Sequence, residues 1–241
     1  MAHLQGEARR EYVARMFTRI AGRYDLMNSI MTLGLHRRWR REVAVLASRG
    51  PGGLALDVAA GTGDLTLELS TQRNITRAVG LDLLPVMLQR ARSKARTQRE
   101  HGGQVRLVAG DALHLPFPDN TFACATCAFG LRNMPGVRDA LAEMVRVVRP
   151  GGTVVTLEIV PLDPKHSTTP FLRFYFRQVI PRLGGFISGD REAYTYLPES
   201  ADRFPTPDRL AAMMEDVGLV GVAYKCIGLR MVAIHRAVKA G

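Results

Sequence analysis

The stretch "ALDVAAGTGDLTLEL", Ala55 to Leu69, decides how the rest of the chain is read. An apolar run, Ala55 to Ala59, meets two glycines, Gly61 and Gly63, and then a pattern of helical type. Strand, glycine turn and helix is a common way to hold a nucleotide, because the helix start turns backbone N–H groups toward the ligand. The dinucleotide form of the turn has a third glycine three residues after the second, where helix and strand pack closely. Here that position is Thr66, and Asp64 follows Gly63 at once. A carboxylate where a pyrophosphate would sit suits a ligand carrying an ammonium or sulfonium better than one carrying two phosphates.

Working outward, strands and helices take turns. Runs of strand type fall at Ala55–Ala59, Ala78–Leu83, Val105–Val108, Phe122–Phe129, Thr153–Val160, Gly221–Ile227 and Met231–Val238. Between them lie helical patterns. In "VRDALAEMVRVVRPGG" the residues Leu141, Met144, Val145 and Val148 recur at helical spacing until Pro150 and two glycines stop the run. "TPDRLAAMMEDVGL" opens with Thr206 as cap and Pro207 just inside, and closes at Gly218. Alternation of this kind predicts a mostly parallel sheet covered on both faces. The last two runs are separated only by Gly228–Arg230, too short for a crossover helix, and so should pair antiparallel.

In an open α/β sheet, ligands bind beyond the carboxyl ends of the strands. Three carboxylates sit there in succession: Asp57, Asp82 and Asp111. Asp82 comes 21 residues after Gly61, where an acidic side chain can accept both ribose hydroxyls. Asp111 can accept from an exocyclic amine. Glycine turn, ribose carboxylate and adenine carboxylate together describe S-adenosyl-L-methionine held without phosphate contacts. The cofactor-binding set is Asp57, Gly61, Thr62, Gly63, Asp82, Asp111 and Ala112, to which the resemblance described below adds Ala128.

Composition sets the bounds. At 241 residues with 46% hydrophobic content, the chain suffices for one large α/β domain, without repeat or low-complexity tract. No apolar run reaches the roughly 18 residues of a membrane span, and "MAHLQGEARREYVARMF" has no apolar signal core. Three cysteines do not make a disulfide framework, so a cytoplasmic location is expected. The net charge of +11 favours an anionic partner: nucleic acid, an acidic membrane surface or a charged substrate. "CATC", Cys124 to Cys127, lies within a predicted strand, where residues three apart face opposite sides and cannot grip one ion. Both are read as buried apolar cysteines, and no metal is expected.

"LDVAAGTGDLT", "GLDLLPVML", "GDALHLPFPDNTF" and "VRPGG" resemble the serial motifs of class I methyltransferases. "YDLMNSIMTLGLHRRW" (Tyr24 to Trp39), "FGLRNMP" (Phe129 to Pro135) and "YLPESADRFPTPDRLAAMM" are similar to the ubiquinone/menaquinone biosynthesis C-methyltransferases, the demethylmenaquinone methyltransferases among them. The likeness runs from about Met16 to His235. It implies a Rossmann-like sheet of seven strands with an antiparallel C-terminal hairpin, and methylation of a ring carbon on a polyprenylated quinol of the menaquinone or ubiquinone pathway. A homodimer is also implied. Residues 1–241 would then be one domain, with a helical cap at 1–50 and an insertion at 161–205 that covers the active site. Some positions depart from the family pattern. Ala128 replaces a serine that contacts the cofactor, Thr32 replaces a serine, Arg149 a lysine and Val160 a serine. Leu229 and Arg230 stand where small residues are common.

Quinol chemistry needs a carbon, a methyl and a sulfur in line, and help for a hydroxyl losing its proton. The candidates are Arg132 and Asn133 past the fourth strand, with Tyr24 and Asp25 in the cap. Arg132 stays protonated, so its expected role is to stabilise a phenolate or polarise a water. Asn28 and His36 are read as capping or core residues. In the insertion, Leu172, Phe176, Val179, Leu183 and Phe186 follow helical spacing, punctuated by Arg173, Arg177 and Arg182. This reads either as a cap helix or as an apolar mouth with a basic rim, held peripherally at the inner face of an anionic membrane. The rival class, an RNA- or DNA-directed methyltransferase, lacks here the Asn/Asp-Pro-Pro-aromatic turn that base-amine methylation uses, and no nucleic acid is expected. A pathway-binding protein with weak catalysis is the other alternative, since Ala128 removes a cofactor contact.

Overall fold

The structure is a computed structural model that describes residues 6–97, 104–188 and 190–241. Helices α1 (Gly6–Ile20), α2 (Tyr24–Met31) and α3 (Leu35–Ala47) precede β1 (Gly53–Val58). Then follow α4 (Asp64–Ser70), β2 (Ile75–Asp82), α5 (Pro85–Thr97), β3 (Val105–Ala109) and β4 (Phe122–Ala128). After a 3-10 turn at Leu131–Asn133 come α6 (Val137–Val147) and β5 (Val148–Ile159). A helical segment runs as α7 (Thr169–Phe174), a π turn (Tyr175–Val179) and α8 (Ile180–Ser188), followed by α9 (Arg191–Asp202) and α10 (Pro207–Asp216). The chain closes with β6 (Leu219–Ile227) and β7 (Val232–Lys239).

The sheet has seven strands in the order β3-β2-β1-β4-β5-β7-β6. Pairing is parallel from β3 through β5, and β7 runs against both β5 and β6. The antiparallel hairpin expected from the short Gly228–Arg230 link is thus present. The order reverses between β1 and β4, which opens a crevice beyond their carboxyl ends.

Apolar residues on the two faces of the sheet form two cores. One gathers Leu141 and Met144 of α6 with Leu210 and Met214 of α10; the other gathers Trp39, Val43 and Ala47 of α3 with Leu65 and Leu69 of α4. Cys127 belongs to the first and Cys124 to the second, so the two cysteines face opposite sides, as strand geometry requires. Burial pushes both thiols up, Cys124 to about 12. A third core lies off the sheet and is built from α1, α2 and α7–α9, with Tyr12, Met16, Met27, Leu172, Phe176, Ile180 and Tyr196 among its residues.

Two expectations are corrected. The helix expected to run to Pro150 ends at Val147, and Val148 opens β5, where it pairs with Phe122. Lys239 Nζ donates to the carbonyls of Arg146 (3.4 Å) and Val148 (2.8 Å), so the last strand stabilises the helix end before any glycine is reached. The apolar stripe of the insertion holds at Leu172 and Phe176, then slips: Ile180 is fully buried, and Phe186 is 91% exposed. The π turn causes this, because its wider turn keeps residues four apart on one face, whereas an α-helix repeats every 3.6 residues. Gly184 lies under the Tyr194 ring, where any Cβ would come within 2.2 Å of it.

Candidate active site

Two cavities meet at the switch point. The first lies beyond β1, β2 and β4 and is lined by Gly61, Asp82, Asp111, Ala112 and Ala128, with Leu83, Met87 and Met134 as apolar walls. The second lies under the cap and is lined by Asn28, His36, Trp39, Arg132, Phe176 and Tyr196, with Met16 and Met27 among its apolar walls. Phe17, Tyr24, Phe129 and Asn133 line both, so they form the shared wall. Two non-glycine residues here, Ala59 (φ 56°) and Phe129 (φ 59°), hold left-handed backbone. Such strain persists where the surroundings fix it and clusters at functional sites.

In the first cavity Asp82 ends β2, and each oxygen of its carboxylate accepts one backbone N–H and keeps acceptor capacity to spare. Oδ2 accepts the Gly61 N–H (2.7 Å) and Oδ1 the Leu84 N–H (2.8 Å). Burial raises its pKa, and these two hydrogen bonds oppose the rise. Asp111 lies two residues past β3; its Oδ1 accepts the Leu113 N–H (2.9 Å) and its Oδ2 pairs with Arg10 of α1 (3.1 Å). Helix α1 therefore reaches over this cavity. The surface of apolar walls and two carboxylates, one of them paired with Arg10, fits a nucleoside that offers hydroxyl and amine donors.

Asp57, Thr62 and Gly63, placed in the cofactor set by sequence, are not among the residues lining this cavity. Asp57 lies beneath the turn, 1% exposed, where Thr66 Oγ1 (2.6 Å) and Thr126 Oγ1 (3.2 Å) both donate to it. Burial pushes its carboxyl up to about 7 against those two hydrogen bonds. Thr62 Oγ1 donates to Asp25 (2.6 Å), which ties the cap to the glycine turn. Lys94 binds Asp25 (2.7 Å) and Asp64 (2.5 Å) together. The Asp64 charge is thus answered from within the protein: burial raises its pKa, but Arg40 and Lys94 outweigh that and hold it below the ordinary value.

In the second cavity Arg132 is 7% exposed and bonded to Glu158, 1% exposed, at 2.5 Å. Glu158 also accepts the Arg132 backbone N–H (3.2 Å) and that of Ile159 (2.8 Å), and Arg132 Nη1 donates to the Phe129 carbonyl (2.8 Å). Desolvation works against the Arg132 charge, but Glu158, Tyr24 and Tyr196 outweigh it and raise its pKa. Asn133 Nδ2 donates to the same Phe129 carbonyl (3.2 Å). Tyr24 packs edge-on against Phe17, with ring centroids 5.8 Å apart. The structure brings Arg132, Asn133 and Tyr24 together around the second cavity, with Asn133 and Tyr24 on the shared wall.

His36 and Asn28 were read as capping or core residues, yet both line the second cavity. Both imidazole nitrogens of His36 are engaged, Nε2 with Ser29 Oγ (3.1 Å) and Nδ1 with Arg40. Burial, with Arg40 beside it, lowers the His36 pKa to about 4, so the ring is neutral. Sequence reasoning did not single out Tyr196, which also lines the second cavity. The signal that could have found it is the same "YLPES" segment that carries the resemblance.

The family model described as the ubiE/COQ5 methyltransferase family matches residues 5–239. A demethylmenaquinone methyltransferase of Roseiflexus castenholzii is 44% identical over 236 residues, covering 96% of this chain and 94% of that protein. A ubiquinone/menaquinone biosynthesis C-methyltransferase of an Enterobacter species is 40% identical, covering 95% and 91%. Among solved structures, an S-adenosylmethionine-dependent methyltransferase of Thermotoga maritima superposes with a TM-score of 0.61 at 16% identity, covering 94% of this chain and 99% of that one. At that identity the match speaks for the class I methyltransferase fold alone, and it agrees with the seven-stranded order found here. The chain belongs to the ubiE/COQ5 methyltransferase family.

Proposed function

We propose that this methyltransferase uses S-adenosyl-L-methionine to methylate a ring carbon of a polyprenylated quinol, as the names of its relatives suggest for demethylmenaquinol and the ubiquinol precursor. The observation that carries the proposal is the wall of Phe17, Tyr24, Phe129 and Asn133 between two cavities. One cavity suits a nucleoside and the other an apolar ring. When bound, the cofactor supplies an electrophilic methyl; transfer joins it to the ring carbon, returns the C–S electron pair to sulfur and releases the ring proton.

The residues of the chain do the rest. Gly61, Asp82, Asp111, Ala112 and Ala128 hold the nucleoside, with Asp82 toward the ribose hydroxyls and Asp111 toward the amine. For that, Arg10 must leave Asp111. Asp57, Thr62 and Gly63 act from behind by fixing the turn. Arg132, kept charged by Glu158, stabilises the phenolate oxygen or orients a water that takes its proton. Asn133 and Tyr24 orient the ring on the shared wall. Methyl transfer from radiolabelled cofactor tests this reading, with short-chain demethylmenaquinol, the ubiquinol precursor and bulk RNA as parallel acceptors. Label in either quinol supports it and names the pathway. Label only in RNA overturns it.

The enzyme is proposed to work in the cytoplasm, attached peripherally to an anionic bilayer. No helix among the described residues is long and apolar enough to cross a membrane. Phe171, Phe174 and Phe186 stand exposed on α7 and α8 beside exposed Arg173, Arg177 and Arg182. Each basic residue near an anionic leaflet adds about 1 kcal/mol. Flotation with anionic liposomes at low salt should carry the protein upward, and failure to float sinks the attachment. The homodimer implied by the family is tested by sedimentation equilibrium.

A further inference from the structure

Buried polar atoms without partners cost about 1–3 kcal/mol each, so they are rare and call for a reason. Among the described residues, Asn28 Nδ2, Arg132 Nε, Asn133 Oδ1 and Tyr196 Oη are such atoms, and their residues line the second cavity. They come from α2, from the 3-10 turn after β4 and from α9, elements far apart in sequence. His36 lines the same cavity and has both nitrogens satisfied, so the unpaired atoms are not a general feature of this wall. Three of the four can donate and one accepts. The remaining lining, including Met16, Met27 and Trp39, is largely apolar. This combination fits a flat apolar ring that carries more than one oxygen.

Arg132 and Asn133 adjoin each other in sequence, and Asn133 also lines the cofactor cavity. They serve the oxygen beside the carbon that receives the methyl. Asn28 and Tyr196 line the second cavity and not the cofactor cavity, and they belong to helices α2 and α9 rather than to the turn that carries Arg132 and Asn133. Resting on the quinol reading above, we propose that Asn28 and Tyr196 are specificity-determining residues that hydrogen-bond the second ring oxygen, the one remote from methyl transfer. The enzyme then selects a para-dihydroxylated ring over a simple phenol of the same shape. Tyr196 is suited to this because its ring is fixed against Tyr12, with centroids 5.8 Å apart, while its hydroxyl stays available. A site built to hydrogen-bond a hydroxyl discriminates strongly against an analogue that lacks it, because its own polar groups are then left unpaired.

The test is a cycle between protein and substrate. Wild type, Tyr196→Phe, Asn28→Ala and the double variant are assayed with a prenylated 1,4-dihydroxynaphthalene and with the matching naphthol that lacks the remote hydroxyl. The intrinsic reactivity difference between the two acceptors is common to all four proteins and cancels. Each single variant should lower kcat/KM for the diol at least tenfold and for the naphthol less than threefold. Cofactor affinity by calorimetry should stay within twofold of wild type, which separates recognition from misfolding. Tyr196→Phe removes one oxygen and keeps the ring packing, so at least one variant stays folded. Equal losses on both acceptors, or no loss on either, overturn the assignment. Failure of wild type to methylate the diol would instead overturn the quinol reading itself.

Discussion

Asp57 is an acid sealed beneath the cofactor turn, and its ionisation works against folding. Unfolded, it titrates at the ordinary 3.8, whereas burial in the fold raises it to about 7. Between those values the folded protein keeps a proton that the unfolded chain releases. The stability this group contributes is present in full below about pH 4 and is lost as pH rises through 7. At about 1.4 kcal/mol per pH unit the effect is on the order of a few kcal/mol. Asp57→Asn removes the titration while keeping an acceptor for Thr66 or Thr126. Calorimetric melting at pH 5 and pH 8 should show wild type losing several degrees relative to the variant; parallel melting curves would contradict it. The Arg132–Glu158 pair behaves differently, since each charge depends on the other. Glu158→Gln leaves a buried guanidinium uncompensated and should cost about 3–5 kcal/mol in urea unfolding. Arg132→Met combined with Glu158→Leu should recover most of that stability and none of the methyl transfer.

At the level of elements, the tip of the last hairpin holds three successive left-handed residues: Gly228 (φ 56°), Leu229 (φ 55°) and Arg230 (φ 67°). Gly228 is required there, because a Cβ would come within 2.9 Å of the Trp39 ring. Leu229 and Arg230 carry a Cβ in this conformation, and each bears roughly 1–2 kcal/mol of left-handed strain. Replacing both with glycine relieves the strain, less the added freedom of the unfolded chain. A rise in Tm of a few degrees is expected, and a fall would show that their side chains hold the turn. This hairpin was legible from the three residues between two apolar runs, and the parallel sheet from regular alternation. Asp82, Asp111, Ala112 and Ala128 also lie around one cavity where strand ends put them. What the sequence hid depends on contacts distant along the chain. Lys239, at the end of the last strand, holds the end of α6 from more than ninety residues away, and a π turn rotates the insertion's apolar face. Asn28 and His36 read as capping or core residues, and Tyr196 did not stand out, because sequence pattern marks a residue as inward without saying whether it meets side chains or a cavity. Asp57 misled in the opposite sense, since a carboxylate next to a strand end turned beneath the turn instead of outward.

For the molecule as a whole, the division into three cores matters most. Two are pressed against the sheet, and the third joins α1 and α2 to α7–α9, with strands β1 to β5 lying between them in the chain. The cap core is also tied down by polar links such as Tyr12 to Glu192 (3.1 Å) and Arg19 to Asp190 (2.8 Å). A cluster with its own apolar interior can open as a unit while the rest stays folded. Amide hydrogen exchange should therefore rank the cap backbone well below β1, β4 and β5 in protection. Gly184→Ala, which presses on Tyr194, should widen that gap without moving the strands; uniform loss of protection would show that the layers unfold together. The second cavity lies under this cluster of helices, so the room its mouth gives a long isoprenoid chain depends on how far the cluster opens thermally. Turnover would then show the steep temperature dependence of a local melting event, set by the looseness of the cap more than by the speed of chemistry at the sheet.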